Sequence, residues 1–414
     1  MIRGARQLLT LRGPKQARRG PALEELAIIH DGSLLVHDGV LLEVGPTRRV
    51  ENLALARKAI EVSAGGRVVM PGFVDSHTHL LFPSAGRAAG PSESDVAAGA
   101  RSLRSTTGMR LETRARLQLE AMARHGTTTV EVKTGCGPDP AAEMKILRVL
   151  ASLKQRPVDI VPTFLLRLPH ADFWGDEQWP AVEEWIGAEF LPKIRRRRLA
   201  RFADLYWQED AERGASGGQY LELARRIGLL GKVHAEVPSP GAAVALAVEH
   251  RAASIDHLEY ATDADAAALG CSGTVATLLP GASFHRDGRY APARSLIDAG
   301  AAVALATNFN PYHTPTLNMQ AAVQLACYRM GMTPAEAISA ATINGAHALA
   351  CADTVGSLEP GKSADILILN ISDYRDLAHH FGMNLVHTTI KRGEIIWEEG
   401  EVAPRPVKDL RQSW

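Results

Sequence analysis

The chain has 414 residues, enough for one large domain or two smaller ones, and 46% hydrophobic with 22% charged residues suits a globular protein with a substantial core. Its 46 basic side chains balance 46 acidic ones, so net charge makes no case for nucleic acid or an anionic membrane as partner. Four scattered cysteines, Cys136, Cys271, Cys327 and Cys351, form no CxxC pair, which argues against a disulfide framework and for a reduced, cytoplasmic setting. The N-terminus lacks a continuous apolar stretch and no run of about 18 apolar residues occurs, so neither secretion nor membrane spanning is expected.

Residues 1–65 read as short strands broken by turns. Asp31-Gly32 and Asp38-Gly39 each separate apolar runs, and aspartate-glycine pairs in that setting are hairpin signals. The far end has the same character: residues 364–369, 388–391 and 392–397 are strand-like. Residues 1–65 and 357–414 are therefore expected to form one composite β-sandwich domain around the middle, 66–356.

That middle alternates between apolar runs and longer amphipathic stretches. Strand candidates fall at 68–75, 127–133, 159–166, 201–206, 229–234, 253–257, 274–279 and 302–308. Runs rich in Val, Ile and Leu suit strands buried on both faces of a parallel sheet. Between the first runs, Leu111, Ala115, Leu119 and Met122 share one helical face, as do Met144, Leu147 and Ala151. Eight such units predict a (β/α)₈ barrel of the α/β class; a doubly wound open sheet is the competitor. Arg195-Arg196-Arg197-Arg198 follows a helical stretch and reads as a solvated C-terminal turn favoured by the helix dipole.

The polar residues decide for the barrel. His77 and His79 end the first run two residues apart, so on a strand their imidazoles aim the same way. His234 closes the fifth run, His257 the sixth and Asn308 the eighth. Barrel active sites form at the C-terminal mouth from residues at strand ends, where these side chains would converge. Imidazoles in that number are a metal site for one divalent ion, zinc first, with iron or manganese also suited. Histidines 77, 79 and 234 are the expected ligands, and His257 is either a ligand or a proton-transfer group.

Pro71-Gly72-Phe73-Val74-Asp75-Ser76-His77-Thr78-His79-Leu80 resembles the opening signature of the amidohydrolase superfamily, and Gly356-Ser357-Leu358-Glu359-Pro360-Gly361-Lys362-Ser363-Ala364-Asp365 its closing one. Within it, Glu131-Val132-Lys133-Thr134-Gly135, Leu278-Leu279-Pro280-Gly281-Ala282 and Ala306-Thr307-Asn308-Phe309-Asn310-Pro311 are similar to the imidazolonepropionase family. The resemblance implies hydrolysis of a cyclic amide or amidine C–N bond in a small substrate. It also implies metal ligation by the first two histidines, the fifth-strand histidine and an eighth-strand aspartate. His257 would lie beside the substrate, and Arg87 would grip a substrate carboxylate.

The chain departs from that pattern. Asn308 stands where the family has its aspartate; its amide oxygen can coordinate, but it is neutral and cannot act as general base. Val237 replaces a glutamate, although Glu236 would share the His234 face of a regular strand. Cys136 and Leu168 replace a tyrosine and a histidine of the substrate pocket. Cys136 and Arg167 are the remaining candidates for substrate contact, Lys133 either pairs with a carboxylate or contacts substrate, and His170, His285 and His313 are further polar groups in the region. His257 and Glu236 are the candidate bases. The alternatives are a metal-assisted elimination, decarboxylation or rearrangement, or a silent homologue that kept the fold. A small-molecule substrate, no nucleic-acid or membrane partner, and a homodimer complete the expectation.

Overall fold

The computed structural model describes residues 1–82, 93–137, 139–153, 157–167, 184–207, 211–236, 238, 240–286, 288–311 and 314–400, with side chains at 93–97, 167 and 211–216 left aside. The N-terminal part supplies β1 (Ile2–Leu9), β2 (Ile28–His37), β3 (Val40–Pro46), β4 (Val62–Ser63) and β5 (Val68–Pro71). The barrel follows with β6 (Phe73–Asp75), β7 (Thr127–Lys133), β8 (Asp159–Arg167), β9 (Phe202–Tyr206), β10 (Leu230–Ala235), β11 (Ser254–His257), β12 (Val275–Leu278) and β13 (Ala302–Leu305). The C-terminal part adds β14 (Ile366–Leu369), β15 (Val386–Lys391) and β16 (Glu394–Glu398).

Strands β6 to β13 pair in chain order, every pair parallel, in one eight-stranded sheet. The sheet closes beyond the ends of its first and last strands. Asn308 N donates to His77 O at 3.1 Å, His79 N to Phe309 O at 2.7 Å, and Thr78 bridges Phe309 in parallel register. Asp75 reinforces this seam by accepting from Thr307 N at 3.0 Å and Thr307 Oγ1 at 2.6 Å. The seam therefore holds three of the predicted site residues at the barrel mouth. Outside, the helix Gly108–Arg124 buries the anticipated face, Leu111, Ala115, Leu119 and Met122, and is N-capped by the Thr107 side chain. The helix Pro140–Ser152 likewise starts on the Asp139 cap and buries Met144 and Leu147.

The second sheet runs β16-β15-β14-β5-β1-β2-β3, with β4 beside β1, so both ends of the chain build it. An ion pair ties it to the barrel: Lys391 Nζ lies 2.8 Å from Asp159 of β8, and 2.6 Å from Asp365 beside β14 in its own sheet.

Two local expectations are corrected. The run 68–75 is not one barrel strand: Val68–Pro71 pairs with β1 and β14 in the terminal sheet, and only Phe73–Asp75 belongs to the barrel. Gly72 makes the transfer, because a Cβ there would sit 2.2 Å from Thr128 Oγ1. Asp31-Gly32 is not a hairpin turn either. It lies inside β2, where Asp31 takes φ 49° and Gly32 crosses against Leu8. The hairpin falls at Asp38-Gly39, whose φ values of 48° and 78° suit the two-residue turn between paired His37 and Val40.

Candidate metal centre

His77 and His79 lie just past β6, His234 in β10, His257 at the end of β11, and Asn308 just past β13. All five are at most 5% exposed, so the polar atoms they turn to one another are removed from water. His77 Nε2 and His79 Nε2 converge at 3.2 Å. The His234 ring lies 5.0 Å from the His77 ring and 4.5 Å from the His257 ring, centre to centre. Histidines 77, 234 and 257 each offer a ligand atom within 4.8 Å of the others. The structure thus draws His257 into the same cluster as the expected ligands.

A divalent ion fits this donor set. Both ring nitrogens of His234, His257 Nε2 and Asn308 Oδ1 are buried with no hydrogen-bond partner among the described residues. Orphaned buried polar atoms cost free energy unless something outside the hydrogen-bond network satisfies them. Burial first, then the Lys133 charge, holds His77 well below the ordinary histidine pKa; burial, then His257, does the same to His234. Both imidazoles are therefore neutral, the form that ligates a metal.

The tautomers are set from behind. His77 Nδ1 donates to Asp256 Oδ2 at 2.8 Å, and His257 Nδ1 to Glu259 Oε1 at 3.1 Å, leaving each Nε2 lone pair toward the cluster. Asp256 and His257 are consecutive, so on a regular strand they would face opposite ways. His257 takes φ 85° and Leu258 φ 69°, which breaks the alternation and lets both neighbours address one site. Such backbone costs about 1–3 kcal/mol per residue, and its position at the mouth suits a functional constraint.

Glu236 sits on the His234 side as anticipated, with Oε2 3.6 Å from His234 Nε2 and 3.3 Å from the Tyr206 hydroxyl, which donates to it. Arg286, just after the helix Pro280–His285, pairs with the other Glu236 oxygen. Sequence reasoning passed over Arg286, which stands on an irregular segment with no periodic signal.

Lys133 takes the first of its two expected roles, pairing with carboxylates. It is fully buried below the mouth and its ammonium lies 2.5 Å from Asp204, 2.8 Å from Asp256 and 3.2 Å from Glu131. Burial opposes its charge, but those three carboxylates hold its pKa well above the ordinary lysine value. Lys232, 2.7 Å from Glu131, completes a buried network that was not anticipated. Its signal was present: Glu131, Lys133, Asp204 and Lys232 are charged residues inside strand runs that are otherwise apolar or threonine-rich. Cys136 is buried in the same apolar cluster as Leu80, Leu81 and Phe82, with its thiol directed to Leu81 O at 3.9 Å. His285, His379 and His380 are exposed. Arg87, Leu168, His170, Val237 and His313 lie outside the described residues, as does the side chain of Arg167.

Residues 208–396 match the amidohydrolase family. The imidazolonepropionase of Brevibacillus brevis is 37% identical over 97% of this chain and 99% of its own length. That of Geobacillus kaustophilus is 36% identical over 97% and 98%. The chain belongs to the imidazolonepropionase family of amidohydrolases. It is a hydrolytic enzyme acting on C–N bonds of a small molecule. Among solved structures, a 5-methylcytosine deaminase from Klebsiella pneumoniae superposes with TM-score 0.73 at 20% identity, covering 98% of this chain and 99% of its own. A zinc-bound adenosine deaminase from Xanthomonas campestris gives 0.70 at 18%, covering 95% and 92%. These two likenesses speak to the fold. Among the described residues no helix is long and apolar enough to cross a membrane.

Proposed function

We propose that this enzyme opens a cyclic amide or amidine C–N bond in a small, carboxylate-bearing substrate related to imidazolonepropionate, using one divalent metal ion, zinc first. The observation that carries the reading is the convergence of the buried imidazoles of His77, His234 and His257 at the barrel mouth, with His79 Nε2 against His77 Nε2 and unsatisfied nitrogens at His234 and His257. His77, His79 and His234 would hold the ion, with Asn308 Oδ1 as a neutral fourth donor. The ion supplies Lewis acidity and lowers the pKa of water toward about 7.

The protein's own groups handle the protons. His257 keeps its Nδ1 proton on Glu259, so its Nε2 is the atom that accepts or returns a proton beside the substrate. Glu236 is the second candidate base: it is an acceptor-only carboxylate next to His234, and Arg286 and Tyr206 fix its orientation. Asn308 cannot take a proton, so base work passes to these two residues. Arg87 is the group proposed to bind the substrate carboxylate. Family membership supports the reaction class, and the relatives' names supply the substrate reading.

Purified protein at full zinc occupancy, assayed against imidazolonepropionate and related five-membered lactams, tests the reading. Turnover with solvent ¹⁸O appearing in the product is expected; no turnover of any of them sinks it.

A further inference from the structure

Beneath the histidine cluster the barrel interior carries charges that the chemistry at the mouth does not touch. Glu131, Asp204 and Asp256 face Lys133 and Lys232, all five with fully buried side chains. Three carboxylates against two ammonium groups leave one excess negative charge. Buried charges are costly unless paired, and an unbalanced cluster calls for a further cation close by.

Asp256 is where this cluster meets the metal centre. Its Oδ2 accepts from His77 Nδ1 and from Lys133 Nζ, both at 2.8 Å, while Oδ1 accepts from Ser254 Oγ at 2.7 Å. Both oxygens are engaged, so the carboxylate cannot turn away. The His77 proton is therefore pinned on Nδ1, and Nε2 presents its lone pair toward His79 and the mouth. A carboxylate behind a ligating imidazole raises the basicity of that ligand and fixes its ring. The donors on the other side (the imidazoles and the Asn308 amide) are all neutral.

We infer that Asp256 is a positioning residue that orients His77 and serves as the buried counter-charge of the metal, in place of the anionic ligand that Asn308 cannot be. Lys133 and Ser254 hold Asp256 in that role. The Lys133 ammonium lies between Asp204, Asp256 and Glu131. The inference rests on the proposed metal site and adds the source of its negative charge.

The test is metal affinity and ligand geometry, read without turnover. Zinc dissociation constants from chelator competition, and electronic spectra of the cobalt(II)-loaded protein, are compared for the wild type and for Asp256→Asn, Ser254→Ala and Asp204→Asn. Asp256→Asn keeps an acceptor for His77 but removes the charge, and is expected to weaken zinc about 10- to 100-fold and shift the cobalt bands. Asp204→Asn removes the same charge from the cluster without touching His77, and is expected to weaken zinc less than Asp256→Asn and to leave the cobalt bands unchanged. Ser254→Ala frees the carboxylate and is expected to alter the cobalt bands. It carries the test if Asp256→Asn fails to fold, as a melt of the metal-free protein would show. Wild-type zinc affinity in Asp256→Asn, equal weakening by Asp204→Asn, or unchanged cobalt bands in Ser254→Ala each overturn the inference. A wild type that binds no stoichiometric metal removes the metal site itself, which is a separate failure.

Discussion

Replacing Asn308 with aspartate puts a formal charge where the mouth now offers a neutral amide, and the structure sets the size of the effect. The residue is 5% exposed, and its Oδ1 finds no hydrogen-bond donor among the described residues. Its φ of 53° lies in the left-handed region, which aspartate tolerates as asparagine does, so the exchange leaves the backbone undisturbed. A unit charge pair about 4 Å apart at an effective dielectric of 20 is worth about 4 kcal/mol, hence about 8 kcal/mol against a divalent ion. Desolvating the carboxylate takes back several kcal/mol. The balance is about 3 kcal/mol, or roughly 100-fold tighter metal binding. Without metal the new carboxylate is a buried, unpaired charge, so the same substitution lowers the stability of the metal-free protein by about 3 kcal/mol. Chelator competition and denaturant unfolding of loaded and metal-free protein measure both arms. Opposite signs are expected. Affinity within about 3-fold of wild type together with unchanged metal-free stability would refute the placement of Asn308 at the metal.

His234→Ala removes the imidazole whose two ring nitrogens are unsatisfied, and is expected to weaken metal at least about 100-fold while His379→Ala, on an exposed residue, leaves stoichiometry unchanged. Arg286→Met strips Glu236 of its counter-ion; kcat/KM is expected to fall about 10- to 100-fold, and an unchanged value would remove Glu236 from the proton chemistry. Burial, with Glu336 nearby, pushes the Cys327 thiol up to about 12, and burial pushes Cys351 up to about 12 as well, whereas Cys271 is exposed. A disulfide reagent at pH 8 should therefore titrate one fast thiol, absent in Cys271→Ser, and two equally fast thiols would contradict the packing. Gly345→Ala places a Cβ 2.6 Å from the Val74 carbonyl, a backbone atom that cannot swing aside; denaturant unfolding should show a loss of about 1–3 kcal/mol.

Much of this enzyme could be read from its residues in order. Apolar runs at barrel spacing, helical faces such as Leu111, Ala115, Leu119 and Met122, and histidines at strand ends are periodic or positional signals. They depend on neighbours within a few residues and on one rule about where barrel sites lie. Asn308 for aspartate was equally plain, because an amide cannot act as a base in any fold. Other features needed the third dimension. The switch of 68–75 from the terminal sheet to the barrel turns on the approach of Thr128 to Gly72, a contact across 56 positions that no local pattern encodes. From its place at a strand end, Lys133 could be given either a carboxylate partner or a substrate contact. Only the packed barrel brings Glu131, Asp204 and Asp256 around it. Asp256 and His257 point to one site only because His257 adopts a positive φ, which alternation along a strand would have denied. Sequence determined which groups are present and at which strand ends. Tertiary structure decided which of them meet, because charge pairing and backbone reversal are set by partners far away along the chain.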